Sequence, residues 1–198
     1  MPDWVHAAER AYVAAATGGA PAPATEGHGQ EAGPLGSMTR GGADPRARAA
    51  AGAVASHYLA VSSPRSLALV GGDDSVHSLV AHRTWFQPPD IRCTSGSVAA
   101  AVGGRVVPLA EALTADIVCI HVPMALAAAQ LRRGTHINAL ALVELDSELR
   151  ALATVADEPQ GLPALAAGLV DGRKLDEITV FIAGDAAIAA AAVAHFAP

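Results

Sequence analysis

The sequence predicts an α/β fold, a parallel sheet with flanking helices, on three observations. Strand-like and helix-like patterns alternate from Ser66 to Leu142, as repeated βαβ units do. The hydrophobic fraction is 52% while aromatics are only 4%, so the core is expected to consist of Ala, Val, Leu and Ile layers, which suit helices laid on a parallel sheet. At 198 residues the chain has room for one domain with a full core, but not for two large ones.

The elements follow in order. Asp3 to Ala16 reads as a short helix with Trp4, Ala8, Ala11 and Ala15 on one stripe and Glu9 and Arg10 off it. From Thr17 to Gly42 the chain turns to Gly, Pro, Ala and small polar residues without a sustained period, which predicts a long loop or a disordered segment. A second helix runs from about Asp44 to Ala60, opened by Asp44 as N-cap and Pro45 in the first turn. The alternating part comprises Ser66–Val70, Ser75–Arg83, Ile91–Thr94, Leu109–Leu113, Asp116–His121, Ala125–Leu131 and Thr135–Leu142. A helix near Ser147, strands at Thr154–Asp157 and Glu177–Ile182, and an alanine-rich helix from about Asp185 to His195 complete the chain. The organisation is therefore residues 1–43, a helix with a Gly/Pro-rich loop, and residues 44–198, the α/β domain with a C-terminal return segment.

Composition narrows the classes of partner. A net charge of −6 without a Lys/Arg cluster argues against nucleic acid, which needs several cations on one face. The N-terminus lacks a basic region followed by an apolar core, and no apolar run approaches the length of a membrane span. A cytoplasmic protein without membrane contact is the expectation. Cys93 and Cys119 each fall inside a predicted strand, the usual setting of a buried free thiol.

One motif carries chemistry. The segment Leu67-Ala68-Leu69-Val70-Gly71-Gly72-Asp73-Asp74-Ser75 begins like the strand and turn of a dinucleotide site. In such a turn the second glycine of G-x-G lets backbone amides approach the pyrophosphate. Here that position is Asp73. At about 5 Å and an effective dielectric of about 20, its carboxylate would repel the pyrophosphate by on the order of 3 kcal/mol, about a hundredfold in affinity. Gly71, Gly72, Asp73 and Asp74 thus read as a degenerate loop, and the bland role for the two aspartates is to cap the helix that starts at Ser75. Among the histidines, His77 and His82 are spaced too far around a helix to share a ligand, and no metal spacing is evident. His121 and His136 are the candidates for a pair side by side at the carboxyl edge of the sheet, where open α/β sheets bind ligands, against the plainer role of hydrogen-bonded structural histidines.

These segments, with Arg48–Ala60, Ala115-Asp116-Ile117-Val118, Arg133-Gly134-Thr135-His136-Ile137-Asn138-Ala139 and Asp176-Glu177-Ile178-Thr179-Val180-Phe181, occur in an order that resembles the ornithine cyclodeaminase/mu-crystallin family. The resemblance implies a Rossmann-like domain whose partner, the family's substrate and dimerisation domain, is largely deleted, with residues 1–43 as its remnant. It also implies losses. The family's arginine before the long helix falls at Ala47, between Arg46 and Arg48. Its catalytic aspartate falls at Val143, with Glu144 and Asp146 nearby. The second strand ends Cys93-Thr94-Ser95-Gly96-Ser97 without an acid for the ribose diol. Val122 stands where the family often has threonine.

These losses imply a pseudoenzyme, a non-redox binding protein with no cofactor. Its old cleft or exposed edge would hold a peptide or protein partner, by analogy a precursor peptide in peptide natural-product biosynthesis. The alternative is an NAD(P)-dependent ornithine cyclodeaminase or imine reductase with an altered site, which would bind NAD or NADP. Acid/base chemistry by His121 or His136 on a bound peptide, and a scaffolding subunit in a homo- or hetero-oligomer, are further readings.

Overall fold

The computed structural model describes residues 3–18, 44–158, 160–174, 176–184 and 186–194. The expected loop between Thr17 and Gly42 lies almost wholly outside them. Strands β1 (Ser66–Val70), β2 (Asp90–Cys93), β3 (Arg105–Val106), β4 (Ile117–Ile120), β6 (His136–Ala139), β8 (Thr154–Asp157) and β9 (Thr179–Ile182) form one sheet in the order β3-β2-β1-β4-β6-β9-β8. Every pairing in it is parallel, as the alternating pattern predicts. Strand order reverses beside β1, with β2 on one side and β4 on the other. The short strands β5 (Met124–Leu126) and β7 (Val143–Leu145) form a separate parallel pair just beyond β4 and β6.

Side-chain alternation along the strands divides the core in two. Leu67, Leu69, Ile117 and Cys119 face a layer formed by α1 (Asp3–Ala16), α2 (Pro45–Leu59), α3 (Val76–His82), α4 (Gly96–Val102) and α8 (Ala187–Val193). Ala68, Val70, Val118 and Ile120 face the opposite layer, which includes α5 (Leu109–Ala112) and α6 (Ser147–Leu152). Burial on both faces is why the strands read as continuous apolar runs.

The alanine content has a location. Helix α2 buries every residue from Ala49 to Ser56, so it has no wet face and no amphipathic stripe. A Cβ on Gly52 would lie 3.2 Å from Leu140 and 3.3 Å from the Asn138 amide. Small side chains let this helix lie close against the sheet. Its N-terminus agrees with the sequence, with the Asp44 carboxylate accepting from the Arg46 amide at 2.9 Å. In α1 the buried stripe is Val5, Ala8 and Tyr12, one residue around from the expected Trp4-Ala8-Ala11-Ala15 line. Tyr12 accounts for the shift, because its buried hydroxyl donates to Glu158 at 2.6 Å. Helices α4 and α7 (Gly161–Ala166) and strands β3, β5 and β7 were not separately predicted; each is too short to establish a period.

Both cysteines are buried and free. Each pairs with Leu69, from opposite sides of β1, so they stand two strand spacings apart, about 10 Å, beyond disulfide reach. Among the described residues no helix is long and apolar enough to cross a membrane.

Candidate functional site

The site is assembled at the carboxyl end of β1, where strand order reverses and open α/β sheets bind ligands. Gly71 turns the chain there with φ +143, and a Cβ at this position would lie 2.9 Å from the His121 Cβ. Only glycine fits. Its amide donates to Thr94 Oγ1, at the end of β2, at 3.2 Å. Around Gly72 a Cβ would meet nothing within 4 Å, so the space over the turn is open.

Asp73 and Asp74 do not cap α3. They form a short 3-10 turn with Ser75 ahead of it, and neither the turn nor α3 has a side-chain cap. The Asp73 carboxylate instead accepts from Ser97 Oγ at 2.9 Å, and Ser97 Oγ lies 2.9 Å from Ser95 Oγ. Asp73 is therefore drawn sideways to the end of β2.

The histidines separate. In the register of β4 and β6, His136 is level with Ile117, whereas His121 follows Ile120. They stand about four residues apart along parallel strands, roughly 13 Å, at opposite edges of the sheet. Their expected adjacency is corrected, because His136 begins its strand and His121 ends one. His136 is fully buried between Thr179 Oγ1 (2.8 Å) and Asn138 Oδ1 (3.1 Å), and burial pushes its pKa down to about 3. It is a structural histidine. His82 is also fully buried; its Nδ1 donates to the Ser78 carbonyl at 2.6 Å, leaving Nε2 to accept from Ser56 Oγ at 2.8 Å. Burial lowers its pKa to about 4.

His121 is the histidine at the site. Its Nε2 lies 2.8 Å from Ser78 Oγ, and Nδ1 has no hydrogen bond among the described residues. Burial, then the charge of Arg48, then the nearby His82 and His77 push its pKa down to about 4, so the ring is neutral near pH 7. Arg48, on the first turn of α2, has a buried Nε without a hydrogen-bond partner among the described residues. Arg46, by contrast, is bound to the Asp44 carboxylate at 3.1 Å. Of the two arginines flanking Ala47, Arg48 is the one that leaves a donor unsatisfied beside His121. Neither Ser78 nor the orphaned Arg48 donor was found from the sequence; a serine three residues after Ser75 on a helix facing the turn was the only local signal.

Val143 lies in β7 opposite Met124. Asp146 caps α6 through the Leu149 amide at 2.7 Å, and Glu144 is exposed. Among the described residues no group of three or more His, Cys, Asp or Glu gathers as metal ligands. A concavity of about 550 Å³ lined by Arg65, Asp90, Arg92, Asp116 and Arg132 opens at the amino edge of the sheet, away from the glycine turn.

No protein-family model and no curated protein matches the sequence. Solved structures do share the fold. An archaeal alanine dehydrogenase dimer with bound NAD is 22% identical with a TM-score of 0.64, over 75% of this chain and 61% of that one. The iminosuccinate reductase of Paracoccus denitrificans in complex with NAD+ is 23% identical with a TM-score of 0.64, over 77% and 61%. A probable ornithine cyclodeaminase from Bordetella pertussis Tohama I is 21% identical with a TM-score of 0.62, over 76% and 66%. The chain spans between about three fifths and two thirds of the length of these structures. The class they define is an α/β, Rossmann-like fold, shared with NAD-bound proteins.

These comparisons correct the expectation of a non-redox protein holding a peptide or protein partner without a cofactor: the proteins that share the fold are named as a dehydrogenase, a reductase and a probable cyclodeaminase. The repulsion on which that expectation rested presumed a carboxylate in a poorly screened site facing the pyrophosphate. Asp73 is exposed and bound to Ser97, where water screens it several-fold better.

Proposed function

We propose that this protein is an NAD(P)-dependent oxidoreductase that interconverts an imine and an amine on a small carboxylate-bearing substrate, the reductase and cyclodeaminase chemistry of the resembling family. The observation that carries the reading is the turn at the switch point, where Gly71 has no room for a side chain and the space over Gly72 is open. The residues present fit a dinucleotide. Gly71, Gly72 and the ends of β1 and β2 at Thr94 and Ser95 would hold it, and it would supply or accept the hydride. The named neighbours, two of them with NAD or NAD+, support the same class.

The rest falls to this chain's own side chains. Arg48 holds the substrate carboxylate: a buried guanidinium nitrogen without an acceptor is costly by about 1–3 kcal/mol until an anion meets it. His121 takes the place of the acid/base lost at Val143. It is neutral near pH 7, restrained by Ser78 on Nε2 and free on Nδ1, so Nδ1 is where a proton is exchanged with the substrate nitrogen.

Calorimetric titration of the full chain with NADH and NADPH, followed by absorbance assays with 2-oxo acids and ammonium, tests the reading. Micromolar binding of one cofactor and its oxidation by an imino acid are expected. No heat at millimolar NADH or NADPH would overturn it.

A further inference from the structure

The end of β2 carries no acid, and residues 94–101 carry no lysine or arginine. Yet a carboxylate stands there. Asp73 reaches it from the glycine turn, held by Ser97 Oγ at 2.9 Å on Oδ1, while Ser97 is steadied by Ser95 at 2.9 Å. The other carboxylate oxygen has no hydrogen bond among the described residues. The two turns are themselves tied together by the Gly71 amide on Thr94 Oγ1 at 3.2 Å, so the carboxylate's place is fixed relative to the open space over Gly72.

We propose that Asp73 accepts the hydroxyls of the adenosine ribose and makes this site selective for NAD(H) over NADP(H). The inference rests on the nicotinamide reading above and deepens it. A diol donates two hydrogen bonds, and a carboxylate with a free oxygen is a matched acceptor. A 2′-phosphate at the same place would bring its negative charge against Asp73 with no cation in residues 94–101 to offset it. The residue that looks like damage to the glycine motif thus supplies the acid that β2 lacks. Ser97 is a positioning residue, since it orients the carboxylate and leaves its second oxygen free.

The test is calorimetric titration of wild type, Asp73→Ser and Ser97→Ala with NADH and with NADPH, with thermal melts to confirm that each variant is folded. Wild type is expected to bind NADH at least 100-fold more tightly than NADPH. Asp73→Ser should weaken NADH tenfold or more while NADPH binding holds or improves, and Ser97→Ala should weaken NADH by a smaller factor without admitting NADPH. Tighter NADH binding by Asp73→Ser, or equal affinities of wild type for both cofactors, overturns the assignment and leaves the nicotinamide reading standing. Absence of binding by wild type and both variants overturns the two together.

Discussion

The two edges of the same sheet are built on opposite terms. At the amino edge two carboxylates are fully engaged: Asp116 accepts from the Arg65 and Ser66 amides at 2.7 and 2.9 Å and from Ser66 Oγ at 3.0 Å, and it also pairs with Arg132. Asp90 there pairs with Arg92 at 2.7 Å and Arg105 at 2.9 Å. At the carboxyl edge, among the described residues, Arg48 Nε has no acceptor, His121 Nδ1 has no partner and one Asp73 oxygen has no hydrogen bond. The paired carboxylates hold β1 to β4 and β2 to its neighbours, whereas the open groups at the carboxyl edge are the ones the proposed function gives to a ligand. A concavity of about 550 Å³ lies at the amino edge, among these paired carboxylates and away from the glycine turn.

The widest effect expected is that of acid, which strikes the buried histidines from both edges at once. His82 and His121 are pushed down to about 4 and His136 to about 3, against about 6.5 in the unfolded chain. Between these values the unfolded state binds more protons, so stability is full above about pH 6.5 and falls as pH is lowered. Each imidazole contributes about 1.4 kcal/mol per pH unit in that window. Urea midpoints from pH 7 to pH 5 should drop by an amount corresponding to several kcal/mol; a flat profile would mean that these rings are solvated.

Gly71→Ala comes next. It forces a side chain onto the His121 Cβ and a positive φ onto alanine, so a thermal melt should show a loss of about 2–3 kcal/mol and calorimetry a loss of dinucleotide binding. His121→Gln sharpens the carboxyl-edge reading, with a fall in kcat of about 100-fold and an unchanged dissociation constant for NADH. Arg48→Gln should raise the KM for a carboxylate substrate about 10- to 100-fold without loss of stability, because the donor it removes is already unpaired; marked destabilisation would place Arg48 among the structural groups. Asp116→Ala is the control at the other edge. A cost of about 2 kcal/mol with unaltered cofactor binding is expected in denaturant titration and calorimetry, and a change in cofactor affinity would erase the distinction between the edges.

Much of this architecture is local and was legible in the chain. The Asp44-Pro45 start of α2, the apolar runs of β1 and β4 and the helix at Ser147 arise from capping, burial on two faces and periodicity, all of which act over a few residues. The glycine turn was legible as a turn, because Gly71 follows a buried strand. Its meaning was not. Asp73 meets Ser97 across 24 residues, Ser78 meets His121 across 43, and Arg48 comes beside His121 only because α2 packs along the sheet. Equally, the separation of His121 from His136 is a matter of register between β4 and β6. The sequence by itself determined the longer elements, the layered core and the position of the turn, since these depend on neighbours in the chain. Only the tertiary structure decided which charges are paired, which donors are left open and where the carboxylate of Asp73 stands, because those are fixed by packing between segments that the chain keeps far apart.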